Sequence, residues 1–247
     1  MPVSDSCRDC LARQLALDYC VTEADVLDGR NHFSVYVPQE GRRRFQEKRE
    51  MKLKIASVNG KLLFTGREDV ISFLRGIYPD TSGNWFFEYG QLRELEEKLR
   101  PFGVRPDTAH PFFLPEKRTP VSVGDTQIRT YGKDEIGPFR GDDAFDEAFA
   151  FDPDAPDMLG IAAVRDGQIL GMAGASADSP LMWQIGINVI PSARRAGIAT
   201  LLVSLMREAV FDHGAVPFYG ASSSHMLSQR VAFRAGFLPA WAELSTK

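Results

Sequence analysis

The sequence predicts an α/β (α+β) protein in two parts, an N-terminal α+β domain over residues 1–117 and a second domain over 118–247. Three observations predict it. A hairpin signal and amphipathic helices occupy the first part, a proline-rich stretch at 107–120 follows, and strand and helix patterns alternate from there to the end. Composition agrees: 247 residues, 44% apolar and 25% charged, is ordinary globular usage and excludes collagen-like, coiled-coil and wholly disordered classes. Either part is long enough to bury a core of its own.

The first part opens with a helical pattern around Leu11, Leu15 and Ala16, and a charged, poorly periodic stretch follows at 40–50. Leu53, Ile55 and Val58 then lead to Asn59-Gly60, with Leu62, Leu63 and Phe64 beyond it. Asn-Gly between apolar runs marks a hairpin, because both turn residues need positive φ. Spacing predicts a helix over 68–77, closed by Pro79, and another over 91–100, where Leu92, Leu95 and Leu99 share a face that Pro101 and Gly103 end. Trp85, Phe86 and Phe87 read most simply as core, with lining of an acceptor pocket as the other reading. Residues 107–120 carry Pro111, Pro115 and Pro120 and read as a connector.

In the second part, strands are expected at 127–131, 159–165, 169–175, 182–190, 217–221 and 237–244. Helices are expected at 142–151, 195–213 and 228–235. Asp166-Gly167 turns one strand into the next, and Gly236 stops the last helix. The longest helix aligns Leu201, Leu202, Leu205, Met206, Ala209 and Val210 on one stripe. No repeat or low-complexity tract is present.

Twenty-nine Lys and Arg against 33 Asp and Glu leave a formal charge of −4. A net-acidic chain has no overall field for nucleic acid or anionic lipid, so neither is expected as a partner. Arg42, Arg43, Arg44, Lys48 and Arg49 are interleaved with Glu47 and Glu50 and read as a solvated charged segment. No apolar run approaches the roughly 20 residues of a membrane span, and the first twenty residues lack a signal-peptide core. Three cysteines suit a soluble protein of a reducing cytoplasm. Cys7, Cys10, Cys20 and His32 have no regular ligand spacing, so they read as ordinary side chains and no metal is expected.

The most informative stretch is a strand ending in Ile187, Asn188, Val189, Ile190 and Pro191, then a turn of Arg194, Arg195, Ala196, Gly197, Ile198 and Ala199 before the long helix. A helix N-terminus leaves four backbone N–H groups unpaired and carries partial positive charge. With a glycine and two alanines to admit it, a phosphate can reach those amides, and arginines stand beside it.

Arg194-x-x-Gly197-x-Ala199 resembles the Arg/Gln-x-x-Gly-x-Gly/Ala signature of the GCN5-related N-acetyltransferases (GNAT). Its setting is similar too: strand, Val189-x-Pro191, signature, long helix, short strand, helix, then Gly236-Phe237. The resemblance covers roughly 121–247. The run from Ser228 to Trp241 and the stretch His110-Pro-Phe-Phe-Leu-Pro115 resemble a bacterial subgroup with an extra N-terminal domain. The resemblance implies the GNAT fold, a mixed central sheet with a splayed strand and flanking helices, and acetyl-CoA as co-substrate without a metal. Amides of Arg195, Ala196, Gly197, Ile198, Ala199 and Thr200, with Arg194 beside them, would bind the pyrophosphate. Backbone groups of Ile187 and Val189 would bind the pantetheine arm, and the Val189 N–H would stabilise the oxyanion.

Two departures stand out. Many relatives have a tyrosine four residues before the Gly-Phe glycine, where this chain has Ala232, and an asparagine where it has His225. The strand holding Gln184 offers no carboxylate as base. His225, Ser228 and Tyr219 are therefore candidates for proton transfer, with transfer through water as an equal competitor. His225 equally reads as a histidine at a helix start without chemistry, Ser228 as a hydrogen-bonder to cofactor, and Arg230 and Arg234 as a solvated helix face. The expected activity is direct acetyl transfer, in a ternary complex, to a primary amine of a small molecule. A catalytically weakened CoA-binding sensor or interaction module is the alternative. A homodimer is compatible with the sequence, and the N-terminal domain is expected to shape the acceptor site.

Overall fold

A computed structural model describes residues 3–46 and 50–247, with side chains of the first helix from residue 7 onward. Glu47, Lys48 and Arg49 of the charged stretch lie outside the described residues. The described helices are α1 (Val3–Tyr19), α2 (Glu23–Leu27), α3 (Glu68–Ile77), α4 (Tyr89–Leu99), α5 (Ile198–Asp212) and α6 (Met226–Arg234). The strands are β1 (His32–Val35), β2 (Leu53–Val58), β3 (Lys61–Gly66), β4 (Pro106–Pro115), β5 (Gln127–Gly132), β6 (Asp157–Arg165), β7 (Gln168–Ser176), β8 (Met182–Val189), β9 (Val216–Gly220) and β10 (Phe237–Thr246). The chain divides into two compact units. An N-terminal unit holds Leu11–Phe112, Ala221–Ser224 and Pro239–Lys247, and a C-terminal unit holds the start of α1 with Phe113–Gly220 and His225–Leu238. The last residues, expected with the second domain, thus belong to the N-terminal unit.

In the N-terminal unit the strands run β1-β3-β2-β10-β4. Asn59 and Gly60 turn β2 into β3 with φ of 50° and 80°, the left-handed pair that an Asn-Gly hairpin requires. α3 begins and ends where the spacing predicts and buries Val70, Ile71 and Leu74. They join Leu53, Ile55, Phe64, Tyr78, Leu95 and Leu244 in one core. Each such side chain contributes about 1.5–3 kcal/mol by leaving water. β1 and α2 carry too few apolar residues to be read from the sequence.

The proline-rich connector is a correction: 106–115 is a strand. A proline removes a ladder donor but keeps its acceptor, and the Pro111 carbonyl receives the Ala221 N–H at 3.4 Å. Arg42 and Arg43 correct the solvated reading of their segment. Arg42 is 5% exposed, its guanidinium over the Tyr36 ring at 4.3 Å. Arg43 points inward to Asp18 and Glu243. Of the aromatic triplet, Phe86 is core, whereas Trp85 is 71% exposed at the end of a short 3-10 turn.

In the C-terminal unit β5, β6, β7 and β8 form an antiparallel meander, and β9 lies parallel to β8. Gly236, with φ of 81°, ends α6 as expected. Residues 142–151 are not the expected helix. Only a 3-10 turn, Asp143–Phe145, forms, and the chain then lies flat on the sheet. The reason is a glycine pair. Gly174 and Gly186 face each other across β7 and β8, and a Cβ on either would stand within 2 Å of the Ala148 or Glu147 carbonyl oxygen. A continuing helix would lift the backbone off that close seat. α5 starts at Ile198 rather than 195 because Arg195 and Gly197 have φ of 67° and 82°.

Candidate active site

β8 is paired unequally on its two sides. On the β7 side the ladder runs to Gly171↔Val189, and Ile190 N–H donates to the Leu170 carbonyl at 3.0 Å. On the β9 side it stops at Ile185↔Tyr219. Backbone groups alternate sides along a strand, and Ile190 bonds toward β7. The N–H groups of Ile187 and Val189 therefore point to the side where β9 has left. Among the described residues these two amides have no backbone partner, because the ladder ends below them. The Val189 carbonyl accepts from Arg194 Nε at 3.3 Å, which holds the strand end against the turn. This is the splayed strand, with two donors facing the gap.

The turn that follows positions a second set of donors. Gly197, at the N-cap of α5, adopts left-handed φ, and no side chain caps the helix. The Leu201 N–H is the first to bond within the helix, to the Gly197 carbonyl at 3.0 Å. The amides of Ile198, Ala199 and Thr200 are left to an external acceptor, as any helix start requires. Arg194, Arg195, Ala196 and Gly197 are exposed, Ile198 is buried, and Ala199 and Thr200 are half-buried. Such an uncapped, accessible N-terminus attracts an anion.

Of the three proton-transfer candidates, two meet. Tyr219 and Ser228 stand 2.8 Å apart, oxygen to oxygen. Tyr219 is 2% exposed, and its burial raises its pKa above the ordinary tyrosine value. His225 is an exposed residue at the N-cap of α6 and makes no side-chain cap bond. Ala232, where relatives carry tyrosine, is fully buried. Arg230 and Arg234 are exposed, consistent with a solvated face.

Sequence reasoning missed Asn188. Its Oδ1 accepts the Ala148 N–H at 2.7 Å and its Nδ2 donates to Asp146 at 3.0 Å, clamping the 142–151 segment to β8 beside Val189. An asparagine inside the apolar strand Ile185-Gly-Ile-Asn-Val-Ile was the available signal. Asp142, Asp143 and Asp146, with Arg140 and the rings of Phe139, Phe149 and Phe151, line a hollow of about 300 Å³ in that segment. Gly186→Ala should push Glu147 and Ala148 off the sheet. Overpacking of this kind costs about 1–3 kcal/mol, read by denaturant unfolding, and the change should also raise protease cleavage within 142–151.

Cys7 and Cys10 lie on α1, and Cys20 follows it as a free thiol. His32 pairs with Asp28 at 2.9 Å, and Lys61 Nζ stands 3.1 Å from the same carboxylate. Asp25, Asp28 and His32 cluster closely enough for a metal. The lysine there already supplies positive charge. Among the described residues no helix is long and apolar enough to cross a membrane.

Comparison with known proteins bears on the C-terminal unit. A family model described as the acetyltransferase (GNAT) family matches residues 126–237. Among solved structures, a GCN5-related N-acetyltransferase-like protein from Streptococcus suis is 13% identical, with 79% of this chain and 84% of that one covered and a TM-score of 0.46. A GNAT-family acetyltransferase from Colwellia psychrerythraea is 16% identical (58% and 57% covered, TM-score 0.40). A GCN5-related N-acetyltransferase from Kribbella flavida is 15% identical (62% and 62% covered, TM-score 0.43). This chain thus spans less than two thirds of the length of the last two. None of the curated proteins is a match. The signature turn, its strand and its helix all fall inside the matched span.

Proposed function

We propose that the protein is an acetyl-CoA-dependent N-acetyltransferase that moves the acetyl group directly to a primary amine of a small molecule in a ternary complex. The observation that carries this reading is the break in the β8–β9 ladder after Ile185↔Tyr219, which leaves two strand amides unpaired beside an uncapped helix start. In this reading the pyrophosphate of acetyl-CoA docks on the amides of Arg195, Ala196, Gly197, Ile198, Ala199 and Thr200, with Arg194 alongside. The pantetheine arm runs as a surrogate strand along the Ile187 and Val189 backbone. When the amine attacks, negative charge develops on the thioester oxygen, and in this reading the Val189 N–H stabilises it. A preorganised donor of this kind is worth roughly 10²–10³ in rate. β8 carries no carboxylate, so the amine loses its proton through water. The hollow beside Asn188 sets three carboxylates, Asp142, Asp143 and Asp146, against one guanidinium, Arg140, and that acidic excess favours a cationic acceptor.

A second reading, a CoA-binding sensor or interaction module without turnover, is favoured by Ala232 in the place of the usual tyrosine. Release of free thiol from acetyl-CoA across a panel of small primary amines separates the two. Turnover with any amine is the expected result. Binding of acetyl-CoA by calorimetry with no turnover would select the module, and no binding at millimolar ligand would remove both.

A further inference from the structure

We infer that Tyr219 is a positioning residue that aims the Ser228 hydroxyl hydrogen at the departing sulfur, so that this pair supplies the hydrogen bond Ala232 cannot. The inference rests on the acetyltransferase reading above. A phenol this deeply buried must give its proton to an acceptor, since a buried donor left unpaired costs about 1–3 kcal/mol. Among the described residues the oxygen within reach is Ser228 Oγ, at 2.8 Å. Burial disfavours the phenolate, so Tyr219 keeps its proton, and with Ser228 Oγ as the acceptor in reach it donates there. Ser228, half-buried on the first turn of α6, is thereby committed as acceptor toward Tyr219 and presents its own O–H elsewhere. Chained hydroxyls polarise one another, which strengthens that second donor.

The position matters as much as the bond. Tyr219 forms the last rung with Ile185, one step below the unpaired Ile187 amide, so the pair stands where the gap between β8 and β9 opens. Ala232 lies four residues beyond Ser228 on the same face of α6, and its methyl group has no proton to offer. The chemistry needs no net transfer from the serine. The amine nitrogen forms a bond to the carbonyl carbon, the C–S bond breaks with its electron pair going to sulfur, and the amine proton leaves to water. A hydrogen bond from Ser228 stabilises the thiolate until water protonates it. A hydroxyl is a far weaker acid than a thiol of pKa about 8.5, so it donates without ionising.

Steady-state kinetics with an accepted amine test this. Tyr219→Phe should lower kcat about 10-fold and Ser228→Ala about 10- to 100-fold, each with the KM for acetyl-CoA within twofold of the parent. Ser228→Thr should restore most of kcat. The double variant should be no slower than Ser228→Ala, because tyrosine acts only through the serine. Parental kcat in Tyr219→Phe, or additive losses in the double variant, would overturn the inference. So would losses confined to KM. Should Tyr219→Phe not fold, the Ala and Thr variants at 228 still decide it, since kcat indifferent to the hydroxyl overturns it too. A parent protein that turns over no amine instead removes the underlying acetyltransferase reading.

Discussion

Ala196→Asp is expected to weaken acetyl-CoA binding about 10- to 100-fold while leaving thermal stability unchanged or slightly raised. Ala196 is exposed and immediately precedes the Gly197 N-cap of α5. A carboxylate there meets the positive end of the helix, which favours the folded state by about 0.3–1 kcal/mol. It also occupies the ground on which a pyrophosphate would sit. A like charge about 5 Å away at an effective dielectric near 20 is repelled by roughly 3 kcal/mol before screening. About half to most of that suffices for the stated loss, at 1.4 kcal/mol per tenfold. Stability and affinity thus move in opposite directions, which no loss of fold can imitate. Calorimetry should show the defect shrinking as salt rises from about 0.05 to 0.5 M, and Ala196→Asn, without the charge, should bind nearly as the parent does. Parental affinity in the aspartate variant would place the nucleotide somewhere other than this helix start.

The parts of the fold legible in the sequence are those decided locally. Asn59-Gly60 fixes its own turn geometry, α3 displays its apolar stripe within ten residues, and the Gly197 turn needs left-handed backbone that few residues adopt. The donors of the site were legible for the same reason: a strand end and a helix start are backbone features with a short signature. What escaped was decided at long range. Residues 142–151 have a helical pattern, but the glycine pair that holds them flat sits in two other strands, and Asn188 bonds them from forty residues away. β4 tolerates its prolines because of acceptors supplied by its carbonyls, not because of anything in its own spacing. Arg42 and Arg43 look solvated beside so many charges, and only Tyr36, Asp18 and Glu243 explain why they face inward.

That inward arginine sets the other large effect. Arg43→Met is expected to destabilise the N-terminal unit by about 3–5 kcal/mol, the usual cost of removing one partner from a buried ion pair. Arg43 donates from its backbone N–H and Nε to Asp18, at 2.9 and 2.5 Å, and from its far nitrogen to Glu243, while Lys54 reaches Glu243 at 3.2 Å. Asp18 and Glu243 are 5% and 8% exposed, so water cannot replace the guanidinium. Methionine keeps much of the length of the apolar stem and removes the guanidinium, with its ion pairs and its place 5.2 Å from the centre of the Trp241 ring. The effect has a pH signature. Burial by itself would raise the Glu243 pKa, but Arg43 and Lys54 outweigh it and hold the carboxyl at about 2 against an ordinary 4.5. The folded form therefore binds its proton less readily than the unfolded chain, and the stability this supplies is complete above about 4.5 and lost as pH falls toward 2. In Arg43→Met the main opposing charge is gone, burial prevails, and protonating Glu243 relieves the folded state instead. Urea unfolding of parent and variant at about pH 7 and pH 3 should show a gap that is wide at neutral pH and much narrower in acid. A gap of constant size would mean that packing, not charge, is what Arg43 contributes.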